Sequence, residues 1–190
     1  IYKNVLNDFE NVYSYDIPKE LIYTTAYIDP ASEIDLTNQK ALYDKADIVI
    51  VGTIIEKKKG TMIEEYGYAG IPGMVSVDTI LKGSILNNNI EIFSNGGYCT
   101  VKEYVDVMSK TKKEKIDKMG VSTLTPEEQE EKYMIFNYKY GKNFEEGKRY
   151  VIMLEKVNGK LVSMSNYGFI EVSSEDSINS LSDIINITNK

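Results

Sequence analysis

The sequence predicts a mainly β protein: a small, strongly curved antiparallel barrel with helices at its periphery. Three observations carry that expectation. Runs rich in β-branched residues recur at Asp47–Glu56, Val75–Leu81, Ile90–Phe93, Gly147–Val157 and Leu161–Val172. Turn signals separate them; Asn158-Gly159 is the strongest, because both residues tolerate the positive φ of a two-residue hairpin. Helical stripes fall before, within and after this set of strands rather than between every pair, which argues against a parallel sheet with crossover helices.

Each element can be justified in order. Residues 1–35 read as a tyrosine-rich N-terminal arm. Tyr2, Tyr13, Tyr15, Tyr23 and Tyr27 follow no period, and Pro18 and Pro30 punctuate the stretch. Tyrosine is amphipathic, so the arm can lay its rings on a sheet or present them to a sugar or peptide. Asp35–Asp47 reads as a short helix with Asp35 or Thr37 as its cap and Leu36, Ala41 and Leu42 inward. The strand Asp47–Glu56 is apolar on both faces, and its central Gly52 marks a bulge or bend. Thr61–Tyr68 reads as a further strand with Met62 and Tyr66 inward, and Ile71-Pro72-Gly73 as a loop.

Residues 98–143 read as a mostly helical insertion in two segments, broken near Gly120–Thr125. The first carries the stripe Val101, Tyr104, Val105, Met108. The second opens on Thr125-Pro126-Glu127-Glu128, a capping box with proline at the first helical position, and is expected to run through Tyr133, Met134 and Phe136. After the hairpin, Ser173 or Ser174 should cap a C-terminal helix with Ile178, Leu181, Ile184 and Ile185 inward. The whole is expected to be one domain, with 36–97 and 144–190 as the barrel frame.

Composition narrows the chemistry. The chain has 190 residues and a net charge of −7. That charge opposes general nucleic-acid binding, which needs cations to displace phosphate counterions. Lys110, Lys112, Lys113, Lys115 and Lys118 form the only basic cluster, interrupted by Glu114 and Asp117, and read as a solvated helix face. Arg149 is the sole arginine, Cys99 the sole cysteine, and histidine is absent. An intrachain disulfide, an imidazole-based triad and a Cys/His zinc site are therefore excluded. No metal or other cofactor is expected. The chain starts at Ile1 and holds no run of 18 apolar residues. The expectation is a mature exported protein whose signal peptide has been removed.

The motifs also resemble a family. A helix ending in Ala46-Asp47, followed by Ile48-Val49-Ile50-Val51-Gly52, resembles uncharacterised exported proteins and lipoproteins of Gram-positive bacteria. In that family a strand ending in Leu-Lys-Gly follows, here Leu81-Lys82-Gly83. Then come a Gly-Gly pair, here Gly96-Gly97, and a Gly-(Lys/Glu)-x-Tyr strand, here Gly147-Lys148-Arg149-Tyr150. An aromatic hairpin reaching Tyr167 and Phe169 closes the set. The order is similar to the netrin/TIMP-like version of the OB-fold barrel over roughly residues 36–172. The resemblance implies an OB-like barrel on an exported or lipid-anchored cell-surface protein. It does not imply metalloprotease inhibition, because Ile1 stands where such inhibitors carry their working cysteine.

Candidate sites are few. Cys99 follows the glycine pair near a helix start but has no histidine base, so it reads as a buried thiol rather than a nucleophile. Glu64-Glu65 and Glu127, Glu128, Glu130 and Glu131 are the acidic clusters; the second is what a helix N-terminus ordinarily carries. The expected binding surface is Gly96, Gly97, Tyr98, Cys99, Tyr104 and Tyr133, facing an unknown protein or cell-wall ligand. A non-enzymatic binding domain is the leading reading. A hydrolase using carboxylate, tyrosine or lysine chemistry and a structural envelope component remain open.

Overall fold

The computed structural model describes residues 15–141 and 144–172. In chain order these form β1 (Ile22–Ile28), α1 (Gln39–Lys45), β2 (Ile48–Lys57), β3 (Thr61–Ile63), β4 (Tyr68–Gly70), β5 (Pro72–Lys82), β6 (Asn89–Phe93) and β7 (Gly97–Thr100). Then follow α2 (Val101–Lys118), α3 (Pro126–Glu131), β8 (Tyr133–Tyr138), β9 (Arg149–Val157), β10 (Lys160–Ser163) and β11 (Phe169–Glu171). The expected C-terminal helix lies outside the described residues.

The chain divides into two compact units. Of the described residues, one holds 31–58, 72–95 and 144–172; the other holds 15–30, 59–71 and 96–141. The first is the barrel. Its strands run β10-β6-β5-β2-β9, with β11 added on β9, and a β9–β10 pairing closes the ring. All barrel pairings are antiparallel except β6–β10. This closed five-strand barrel is the small, mainly β barrel that the run-and-turn pattern predicts. Its interior is aliphatic: Ile48, Ile50, Ile54, Val75, Ile92, Ile152 and Leu154 are all 0–1% exposed. Side chains of β2 and β9 are buried on both faces, as their unbroken apolar runs require. The β2–β5 register shifts at Val51/Gly52, the bulge that lets the sheet curl.

The motif residues prove to be packing devices. The Asp47 carboxylate accepts the Lys156 N–H at 2.7 Å, tying the start of β2 to β9. Lys82 Nζ donates to the Tyr43 and Asp44 carbonyls at 2.8 and 2.9 Å, satisfying orphan carbonyls at the end of α1. Gly83 sits at φ +79 with the Asp47 carbonyl where a Cβ would stand, so only glycine fits. Tyr150 is 1% exposed, edge-on to Phe169 at 5.7 Å.

The second unit is a three-stranded sheet, β1-β8-β7, with α2, α3 and the β3–β4 hairpin. Strands β1 and β8 pair in parallel, Thr24 to Ile28 against Met134 to Tyr138. The core is Met62, Cys99, Val101, Tyr104, Met108, Ile116, Val121, Met134 and Phe136. Helix α2 presents the predicted stripe: Val101, Tyr104 and Met108 are 0–3% exposed. It starts where Thr100 Oγ1 accepts the Glu103 N–H at 3.1 Å and stops at Gly120, φ +71. The Thr125–Glu128 capping box forms in both directions, at 2.9 and 3.2 Å.

Four expectations are corrected here. The helix opened at Thr125 ends at Glu131, and Tyr133–Tyr138 is a strand. The run Tyr-Met-Ile-Phe-Asn-Tyr has no polar side to face water and lies central in its sheet, between β1 and β7. The insertion is therefore part β rather than mostly helical. The arm is not irregular throughout, since Ile22–Ile28 is a strand; its residues are half-buried on both faces, which hides any alternation. Thr61–Tyr68 is not one strand but a hairpin turning at Glu64–Gly67, with Tyr66 in the turn. Helix α1 starts later than expected: Asn38 Oδ1 caps it by accepting the Ala41 N–H at 3.0 Å. Asp35 instead closes a turn, accepting the Thr37 side chain and N–H, and these bonds hold its carboxyl below the usual range.

Candidate functional site

The predicted surface residues fall in the second unit, and the pleat sorts them into two groups. In the β7–β8 ladder Gly97 faces Phe136, Tyr98 faces Ile135, Cys99 faces Met134 and Thr100 faces Tyr133. Cys99, Met134 and Phe136 point into the core, so Tyr98 and Tyr133 emerge on the opposite face. Tyr98 and Tyr133 are half-buried and meet edge to face, with ring centres 5.8 Å apart. Tyr15 joins Tyr98 at 5.3 Å, and Lys59 Nζ stands 5.3 Å from the Tyr133 ring centre. Each aromatic pair contributes about 0.5–1.5 kcal/mol beyond area burial, and an exposed cation–π contact about 0.5–1 kcal/mol. The rings thus hold one another in place with part of each still in solvent.

Cys99 and Tyr104 do not belong to that surface. They are 0% and 2% exposed, in the core beneath it. Burial pushes the Cys99 thiol far above its ordinary range, and the Glu103 carboxylate adds to the effect. A thiol so protonated is no nucleophile at neutral pH. Burial likewise raises the Tyr104 phenol. Glu103 serves the fold instead. It accepts the Met62 N–H at 2.8 Å and the Thr61 hydroxyl, fastening β3 to α2. Gly96 and Gly97 act through backbone: Gly96 turns the chain at φ +82, and Gly97 lies against the Gly70 backbone, closest at 2.7 Å from a built Cβ. Of the six predicted residues, the structure therefore brings Tyr98 and Tyr133 together at the surface. In the sequence Lys59 belongs to no motif, and Tyr15 is one of the arm's tyrosines that follow no period. They lie 74 and 83 residues from their ring partners, and nothing local announces the contacts.

A second feature lies in the barrel unit. Strands β6 and β10 meet at one residue pair, Phe93–Val162. Beyond Phe93, Asn95 stitches the seam shut: its N–H donates to Ser163 Oγ at 3.2 Å, and its side chain donates to the Ser163 carbonyl. Toward the strand starts, a groove of about 470 Å³ opens. Ile48, Ile85, Leu86, Ile90, Phe93 and Leu161 supply its apolar lining; Asn87, Glu91, Lys156 and Lys160 stand among its polar residues. Leu86 is fully exposed. Glu91 pairs with Lys58 at 2.7 Å.

The acidic clusters do not converge. Glu128 is spent on its capping box, and among the described residues no group of three or more Asp, Glu, Cys or His side chains is placed to hold a metal ion. No helix among the described residues is long and apolar enough to cross a membrane. No protein-family model matches the chain, and no curated protein matches it.

Proposed function

We propose that this chain is a non-enzymatic binding module on an OB-like barrel of the netrin/TIMP-like kind, working as an exported cell-surface or lipid-anchored protein of the Gram-positive family its motifs resemble. The observation that carries the reading is the tyrosine face: Tyr98 edge-on to Tyr133 and tilted against Tyr15, with Lys59 over the Tyr133 ring. Tyrosine gives large, rigid contact area at low entropic cost, and rings already braced against one another lose little freedom when a ligand arrives. The protonated, buried Cys99 speaks against thiol chemistry at the same place.

The test is binding of the full chain to two probes: peptidoglycan sacculi stripped of protein, and the same Gram-positive envelopes with their proteins retained. Tyr98→Ala with Tyr133→Ala should weaken retention by at least about tenfold, as loss of aromatic hot-spot residues does. Binding to stripped sacculi assigns a wall ligand, and binding only to intact envelopes assigns a protein. Retention unchanged by the double variant would refute the tyrosine face.

A further inference from the structure

The open edge of β6 carries an inference independent of the tyrosine face. We infer that this edge, at Asn89–Glu91, receives an extended, predominantly apolar peptide segment of another protein as an added strand.

In an antiparallel ladder, alternate residues turn their N–H and C=O toward the partner strand, and those between turn theirs away. Val77 donates its N–H to the Asn88 carbonyl at 2.7 Å, so Asn88, Ile90 and Ile92 are the residues that bond β5. Asn89, Glu91 and Phe93 therefore aim their main-chain groups outward, toward β10. Phe93 meets β10 at the single bridge to Val162. Asn89 and Glu91 are exposed, and among the described residues no strand pairs with their outward side. Across the gap, Met164 donates its N–H to the Met153 carbonyl at 3.5 Å, which sets the β9–β10 ladder so that Leu161 also turns its main chain toward the opening. Proteins blunt such edges with proline or a bulge. Asn-Ile-Glu-Ile-Phe has no proline, and its register with β5 runs without a shift.

The occupant follows from those groups. Donors and acceptors that recur at every second residue, on a strand rising about 3.3 Å per residue, match the repeat of another extended backbone. Side chains of an added strand alternate, and one set enters the groove of about 470 Å³, where Ile85, Ile90 and Leu161 are half-buried and apolar. Leu86, fully exposed in the loop entering β6, extends that lining. The charges there do not call for an ionic ligand: Glu91 is held by Lys58 at 2.7 Å, and Lys160 has a partner of its own. Backbone pairing supplies affinity and the apolar groove supplies preference, as in other cases of strand addition.

The probe is a library of random heptapeptides displayed on phage and selected on the immobilised full chain. Selected sequences should be apolar at alternate positions, and the synthetic peptide should slow amide exchange at Asn89 and Glu91. Methylating one alternate set of the peptide's amide nitrogens should abolish binding, and methylating the other set should leave it. Glu91→Pro removes an N–H that bonds nothing in the barrel, so it should keep the wild-type melting curve and weaken binding by about tenfold or more. Lys58→Ala, which breaks the Glu91 ion pair without touching the main chain of β6, should bind as the wild type does. The methylated peptides test the same bonds from the other side, whatever the proline does to folding. No enriched peptide, unchanged exchange at Asn89 and Glu91, or equal binding with either set of amides methylated overturns the proposal. So does self-association of the chain that Glu91→Pro abolishes, which would give the edge to a second copy.

Discussion

The barrel unit and the tyrosine-bearing unit are assembled by different means. The barrel rests on long strands: β2, β5 and β9 span 9–11 residues each, and their ladders, with aliphatic side chains between, hold the ring together. Its polar side-chain contacts include buried ones, Asn95 on Ser163 and the Ser165 hydroxyl donating to the Leu36 carbonyl at 2.8 Å, and exposed ones such as the Arg149–Asp78 pair at 2.7 Å with side chains 37–41% exposed. The other unit has strands of 3–7 residues and a mixed core, in which methionines, Tyr104, Phe136 and the single cysteine pack with Ala69, Val101, Ile116 and Val121. Short strands carry few ladder bonds, and side-chain-to-backbone bonds supplement them. Tyr23 donates its hydroxyl to the Met119 carbonyl at 2.7 Å, and Glu103 receives the Met62 N–H. Asn137, 3% exposed, has an Oδ1 with no hydrogen-bond partner among the described residues.

That contrast can be broken or sharpened. The largest effects should come from the two cores, where the units should be alike. Phe136→Ala should cost about 3–5 kcal/mol and Ile152→Ala about 2–5 kcal/mol in denaturant unfolding, because both leave cavities in close-packed surroundings. A Phe136→Ala cost under about 1 kcal/mol would mean that the tyrosine-bearing unit has no true core.

Smaller effects should come from polar contacts, graded by their burial. Glu103→Ala should cost about 1–3 kcal/mol, since it abandons the Met62 N–H and the Thr61 hydroxyl. Asp78→Ala, which breaks an exposed ion pair of the barrel, should cost no more than about 1 kcal/mol. Equal costs would show that the part-buried Glu103 contacts hold the fold no better than an exposed ion pair.

The smallest effect is a slope. Cys99 has its folded pKa raised above the ordinary thiol value of 9.0. Below that value both folded and unfolded chains hold the proton, and the contribution to stability is whole. As pH rises past 9.0 the unfolded chain releases the proton while the folded chain keeps it, so stability falls by about 1.4 kcal/mol per pH unit from this group. Cys99→Ala should flatten the alkaline limb of the unfolding-stability profile by that amount, whatever its fixed cost in packing. An unchanged slope would place the thiol in contact with water.

These outcomes also measure what can be read without a structure. The barrel was legible because its information is local. Ile48–Val51 and Tyr150–Leu154 announce strands by composition, Asn158-Gly159 announces a hairpin, and Gly83 announces a conformation other residues resist. Helix α2 was legible by its stripe and α3 by its capping box. The tyrosine-bearing unit was not legible as a unit. The chain enters or leaves it at residues 30, 58, 71, 95 and 141, so its core is gathered from stretches with no common pattern. Tyr133–Tyr138 looked helical from the cap upstream and became a strand only because β1 and β7 flank it. Composition, turn chemistry and helix caps act over a few residues, and on that scale this sequence determined the barrel strands, the absence of histidine chemistry and the burial of its one thiol. Which half-buried tyrosines meet, where Lys59 lies and where the barrel seam opens depend on pairings between residues tens of positions apart. Those were decided by tertiary packing, because only the folded chain brings such residues within reach of one another.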